Sequence, residues 1–126
     1  MTHYDLIIIG GGPIGLACGI EAHKAGLNYL IIEKAALVNS LYHYPVNMTF
    51  FSTSEKLEIG KVPFVSNNRR PSRREALEYY RRIVTTFDLN IHFFEEVREV
   101  TKYGKRKKVI TSVSSYKADN IIVATG

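Results

Sequence analysis

Three consecutive glycines, Gly10 to Gly12, end the first apolar run of this chain, and a fourth, Gly15, follows one proline and one isoleucine later. Tyr4 to Ile9 is an apolar run with β-branched residues bounded by glycine, the pattern of a buried strand. Pro13 fits the first position of a helix, where its missing N–H costs nothing. That helix is predicted to run to about Ala25, with Gly26 as its stop. Its small residues Gly15, Cys18, Gly19 and Ala22 share one face that can approach a sheet closely, which predicts a buried Cys18. Asn28 to Glu33 is a second buried strand, so the segment is a βαβ unit with parallel strands.

Gly10, Gly12 and Gly15 form G-x-G-x-x-G between that strand and that helix. The first glycine permits the tight turn, the second lets a pyrophosphate approach the backbone, and the third lets the helix pack on the strand. The extra Gly11 keeps the loop free of side chains. The helix start adds free N–H groups and the positive end of the macrodipole. Alone this motif is weak. Here Glu33 closes the second strand at the spacing of the acidic residue that binds the adenosine ribose. A carboxylate there repels a 2′-phosphate, so the nucleotide in this site is FAD or NAD, not NADP.

The rest of the chain is less periodic. Lys34 to Arg70 is aromatic-rich without a sustained period. A loop of that length in a compact domain is functional or disordered, and its aromatics argue against disorder. Ser72 and Glu75 form a capping box for a helix whose apolar stripe is Ala76, Leu77, Tyr80, Ile83, Val84 and Phe87. Asn90 to Phe94 is a third core strand. A weakly alternating stretch with a turn near Gly104 is an antiparallel meander of two or three strands, and Asn120 to Gly126 is a last strand. The fold class is α/β: a Rossmann-like domain with four parallel strands and a β-meander in place of a crossover helix.

With 126 residues the chain holds one domain. No run reaches membrane-spanning length, and the start is not a signal peptide. The single cysteine excludes an internal disulfide framework and a cysteine-based zinc site, and suits a reducing cytoplasm. None of the four histidines has metal-ligand spacing, and no nucleophile–base constellation is visible. The net charge of +5 comes from arginines at 69, 70, 73, 74, 81 and 82 and from the Gly104–Lys108 turn. The favoured reading is a solvated helix face with Glu78 to Arg82 as an i,i+4 pair, rather than an anion or nucleic-acid site.

The meander followed by Ala124, Thr125 and Gly126 resembles the FAD domain of thioredoxin-reductase-like flavoproteins, which favours FAD over NAD. In that group the strand ending in A-T-G passes close to the flavin nucleotide, and the backbone at the place of Val97 contacts the adenine. Within the group the chain is similar to the bacillithiol disulfide reductase family, through "LIIIGGGPIGLACGIEA", "LIIEK", "VNSLYHYPVNMTFFSTSEKLEIGKVPF", "REALEYYRR" and "IIVATG". The resemblance implies an FAD enzyme that takes hydride from NADPH and reduces a low-molecular-weight disulfide in the cytoplasm. The candidate cofactor set is Gly10, Gly12, Pro13, Ile14, Gly15 and Glu33 from the loop motif, Val97, Ala124, Thr125 and Gly126 from the resemblance, and Lys34, Tyr42 and Phe51 as further candidates, with a solvated lysine the favoured reading of Lys34. Tyr42 and Phe51, with Tyr44 and Phe50, either line the flavin ring or form satellite core under the loop. Ser40 and Ser52 are weaker polar candidates, and His43 is read as a surface or packing residue. No residue stands out as catalytic.

Two departures matter. Family members often carry a cysteine at the position of Ile14, and Cys18, one helical turn on, does not substitute for it. The chain also has no second G-x-G-x-x-G for NADPH, and reads as an N-terminal part of an FAD-binding domain. The rival readings are a flavin monooxygenase or ferredoxin-linked reductase on the same scaffold, or a nucleotide-binding piece without catalysis. Self-association is compatible with the sequence and not specified by it.

Overall fold

A computed structural model describes residues 1–126. Strand β1 (Thr2–Ile9) lies at the centre, between β2 (Tyr29–Ile32) and β6 (Ser115–Val123), parallel to both. A short β3 (Ile91–His92) adds in parallel outside β2. On the other side, β6, β5 (Arg106–Thr111) and β4 (Val97–Tyr103) run antiparallel, giving the order β3-β2-β1-β6-β5-β4. The four parallel strands and the meander are those the sequence predicts.

Burial on both faces explains why β1 and β2 read as continuous apolar runs. Leu6, Ile8, Tyr29 and Ile31 pack under helix α1 (Pro13–Lys24) and helix α4 (Arg73–Phe87). Ile7, Leu30 and Ile32 face the opposite way, where Val109, Tyr116 and Ala118 of the meander cover them. Cys18 is only half-buried, packed at the margin of the helical core, which corrects the expected burial against the sheet. The α4 capping box forms as predicted: Ser72 Oγ accepts from the Glu75 N–H at 3.2 Å, and Glu75 Oε1 accepts from the Ser72 N–H at 3.0 Å.

Apart from shifts of one or two residues at the ends of β1 and β2, three parts of the chain depart from the sequence reading. β3 keeps only two residues, because Phe94 takes a left-handed backbone (φ 54°) that turns the chain out of the sheet. The last strand is Ser115–Val123 and not Asn120–Gly126: the third meander strand and the core strand are one element, and Ala124 to Gly126 lie beyond it. The polar pair Asp119–Asn120 does not break it, since Asp119 accepts from Arg106 Nε at 2.9 Å and pairs with His3 Nε2 at 2.9 Å. Finally, the segment 34–70 contains two short helices, α2 (Asn39–Tyr42) and α3 (Ser54–Leu57).

That segment is pinned by two adjacent tyrosines of α4. Tyr79 Oη donates to the Val62 carbonyl at 2.7 Å and accepts from the Ile59 N–H at 3.0 Å, while Tyr80 Oη donates to the Leu57 carbonyl at 3.0 Å. Tyr79 also stacks on Phe64, with ring centroids 4.4 Å apart. The predicted stripe omitted Tyr79, which is buried because the long segment folds over it. Arg73 donates to the Leu41 and Tyr42 carbonyls at 3.2 and 2.7 Å and so ties α2 to α4. Arg82 pairs with Glu78 at 3.1 Å as expected.

The glycine loop sets the contact between β1 and α1. A methyl group at Gly15 would overlap the Gly10 carbonyl, which is backbone and cannot rotate away. Gly15→Ala is therefore expected to lower the unfolding free energy by about 3 kcal/mol, at the upper end of overpacking costs, measured by urea denaturation.

Candidate dinucleotide-binding site

A cleft of about 930 Å³ opens outside the carboxyl ends of the parallel strands. Ile9, Ile32 and Val123, the last residues of β1, β2 and β6, form its floor. From β1 the chain builds the sheet to one side through β2 and β3, then returns on the other side as β6. A ligand crevice is expected at such a switch in strand order.

The cleft wall carries most of the predicted residues. Gly10, Gly12, Pro13 and Ile14 contribute the glycine loop and the first turn of α1. No side chain caps that helix and no acidic residue lies in its first turn, so its N–H groups remain for an anion. Nothing lies within 4 Å of where a Gly12 side chain would begin, and its φ of −81° is one that any residue adopts. The missing side chain at Gly12 therefore answers to no protein atom; it leaves space over the loop, as a close-lying pyrophosphate requires. The residues present fit a dinucleotide.

Gly10 has a different reason. Its φ is 119°, and a side chain there would overlap the Ala124 carbonyl. Ala124 in turn donates its N–H to the Ile9 carbonyl at 2.8 Å. The A-T-G segment thus crosses directly over the first glycine, and Ala124, Thr125 and Gly126 line the cleft. Gly15 is not part of the lining; its place is the contact between α1 and the Gly10 carbonyl.

Glu33 lies at the cleft but is largely buried. Its Oε1 accepts from the Gly11 N–H at 2.9 Å and its Oε2 from the Ala35 N–H at 2.6 Å. The carboxylate therefore braces the glycine loop from below, and each oxygen keeps a lone pair for a ribose hydroxyl. Gly11 is needed here because a side chain would press on the Glu33 Cβ, 2.9 Å away. Lys34 is exposed and lines the cleft beside it.

Val97 is at the cleft too, together with Glu96, which the sequence reading did not select. Asn39 and Ser40 complete the wall. They are brought there by Val38, a buried β-branched residue in the left-handed region (φ 43°) whose N–H donates to the Gly11 carbonyl at 3.1 Å. Such a conformation is costly and points to a functional constraint. No local sequence signal marks it.

Tyr42 and Phe51 stand outside the cleft. Tyr42 is half-exposed beneath the Arg73 guanidinium, and Phe51 is 92% exposed. Phe50 packs against the core as satellite packing, His43 is exposed beside Tyr42, and Ser52 does not reach the cleft.

Behind the Glu96–Val97 wall lies a buried carboxylate that sequence reasoning missed. Glu95 accepts from Thr111 Oγ1 at 2.6 Å, Tyr116 Oη at 2.7 Å and His92 Nδ1 at 3.0 Å. Burial works to raise its pKa, but these hydrogen bonds outweigh it and hold the carboxyl below the ordinary glutamate range. Burial and the Glu95 carboxylate together push the Tyr116 hydroxyl up, so it stays a donor.

The pyridine nucleotide-disulphide oxidoreductase family model matches residues 7–126. The chain belongs to that family. It is 50% identical to the bacilliredoxin reductase Bdr of Bacillus subtilis over 100% of this chain and 39% of that protein. Among solved structures, the bacillithiol disulfide reductase Bdr from Staphylococcus aureus superposes with a TM-score of 0.97 at 44% identity, covering 100% of this chain and 39% of that one. A flavin-containing monooxygenase from Stenotrophomonas maltophilia superposes with a TM-score of 0.94 at 28% identity, with the same coverage of each chain. The chain thus spans about two fifths of the length of these relatives. The resemblance to bacillithiol disulfide reductases read from the sequence stands, and so does the Rossmann-like flavoprotein fold.

Glu33→Ala removes the acceptors for the Gly11 and Ala35 N–H groups and takes a carboxylate from the cleft. It is expected to weaken ADP binding by roughly ten- to a hundredfold, the equivalent of a charge-assisted hydrogen bond of about 1.5–3 kcal/mol. Calorimetric titration of ADP into folded mutant protein checks this; wild-type affinity would rule out the role.

Proposed function

We propose that this chain is part of an FAD-binding domain in an NADPH-dependent oxidoreductase that reduces a low-molecular-weight disulfide such as bacillithiol disulfide. The observation that carries the reading is the vacant space over Gly12, beside an uncapped helix start and Glu33. In this reading the loop from Gly10 to Gly15 receives the pyrophosphate and Glu33 orients the ribose. Val97 contacts the adenine through its backbone, and Ala124 to Gly126 run beside the flavin nucleotide. Bound flavin supplies the two-electron relay between nicotinamide and acceptor. The chain's own residues bind and orient it.

The NADPH site is assigned outside residues 1–126. The disulfide substrate is supported by the higher identity to the two Bdr proteins than to the monooxygenase. Ile14 stands 69% exposed at the cleft, so this loop offers no thiol there, and half-buried Cys18 does not take its place. Electron transfer to the disulfide is accordingly assigned to the flavin or to residues outside this segment. No helix is long and apolar enough to cross a membrane, and a cytoplasmic setting is proposed from the single free cysteine.

The full-length protein that contains this chain is expected to be yellow, to bleach on anaerobic addition of NADPH, and to recover its oxidised spectrum with bacillithiol disulfide. Recovery only with oxygen, accompanied by oxygenation of an organic substrate, would favour the monooxygenase reading. A protein that neither carries nor takes up flavin would overturn both.

A further inference from the structure

We propose that Glu95 is a positioning residue for the adenosine end of the cleft: through His92, Thr111 and Tyr116 it locks the turn that carries the Glu96–Val97 wall against the parallel sheet. The proposal rests on the cleft's being the dinucleotide site. Its partners come from three separate elements. His92 belongs to β3, Thr111 ends β5, and Tyr116 lies near the start of β6. One buried carboxylate therefore joins the outer parallel strand to two meander strands.

The backbone around it points the same way. The Glu95 N–H donates to the Glu33 carbonyl at 3.0 Å, so the turn is fastened directly to the ribose-binding residue. The preceding Phe94, 73% exposed, holds a left-handed backbone (φ 54°), and its N–H donates to the Ala35 carbonyl at 3.3 Å. A bulky residue keeps such a conformation only where its surroundings impose it. The following Glu96 exchanges backbone and side-chain bonds with Ser112, at 2.8 and 2.9 Å, before the chain enters the cleft wall. The Glu95 side chain itself does not line the cleft. Its effect on a ligand must pass through the position of Glu96 and Val97.

The distinguishing readout is which part of the nucleotide is felt. Flavin-free protein is titrated by calorimetry with ADP and with inorganic pyrophosphate, under conditions where each variant shows the wild-type circular dichroism. Glu95→Ala should weaken ADP about tenfold, the loss of roughly one hydrogen bond's worth of alignment, and leave pyrophosphate unchanged. Glu95→Gln, which keeps the shape and one acceptor oxygen, should restore ADP binding to within about threefold of wild type. Should Glu95→Ala fail to fold, Tyr116→Phe and Thr111→Val each remove one bond and should each weaken ADP by about two- to fivefold. Unchanged ADP binding in the folded variants, or equal weakening of ADP and pyrophosphate, would overturn the positioning role. Wild-type protein that binds neither probe would instead sink the dinucleotide reading of the cleft, and this proposal with it.

Discussion

Everything at the cleft end of this molecule is arranged around one backbone crossing. At Gly10 the carbonyl of Ala124 passes where a side chain would begin, and the first turn of α1 rests on the Gly10 carbonyl through Gly15. Two segments more than a hundred residues apart in sequence therefore meet without an intervening side chain. The glycine loop and the A-T-G strand end are parts of one close-packed junction, and neither could hold its course if the other moved. Hydrogen bonds from Gly10 to the Ile32 carbonyl and from Ala124 to the Ile9 carbonyl, at 2.9 and 2.8 Å, lock it to the three central strands.

Around that junction, charge is handled by the backbone. The loop has no basic side chain to meet a phosphate; it offers the N–H groups of an uncapped helix start. Its underside is held by Glu33, whose oxygens take up N–H groups from Gly11 and Ala35. The same carboxylate thus shapes the loop and lines the cleft. The arginines of α4 serve elsewhere: Arg73 satisfies carbonyls at the end of α2, and Arg82 pairs with Glu78 on the surface.

What could be read in the sequence was what depends on local pattern. The βαβ unit, the α4 capping box, the meander and the loop-to-Glu33 spacing each have a signature within a few tens of residues. So do Val97 and the A-T-G end, through family resemblance. What could not be read depends on long-range contact. Glu95 lies in a polar stretch, and its burial exists only because Thr111 and Tyr116 return to it from the meander. Val38 and Phe94 give no sign in sequence of left-handed backbone, since neither is glycine or asparagine. The aromatic segment offered equal grounds for a flavin wall and for packing; Phe50 and Phe64 pack, while Tyr42 and Phe51 remain outside the cleft.

If the space over Gly12 serves a ligand and not the fold, a side chain there will separate binding from stability. The most direct measurement compares Gly12→Val with wild type for both unfolding free energy and FAD affinity. An ordinary φ and an empty surrounding predict a stability change within about 1 kcal/mol, the scale of exchanging a helix N-cap residue. Affinity should fall on the order of a hundredfold or more, equivalent to about 2.7 kcal/mol, as the branched side chain occupies the pyrophosphate position. A variant that binds FAD as wild type does would rule out a ligand over Gly12, and one that loses its fold before its affinity can be compared would show that the glycine serves the fold.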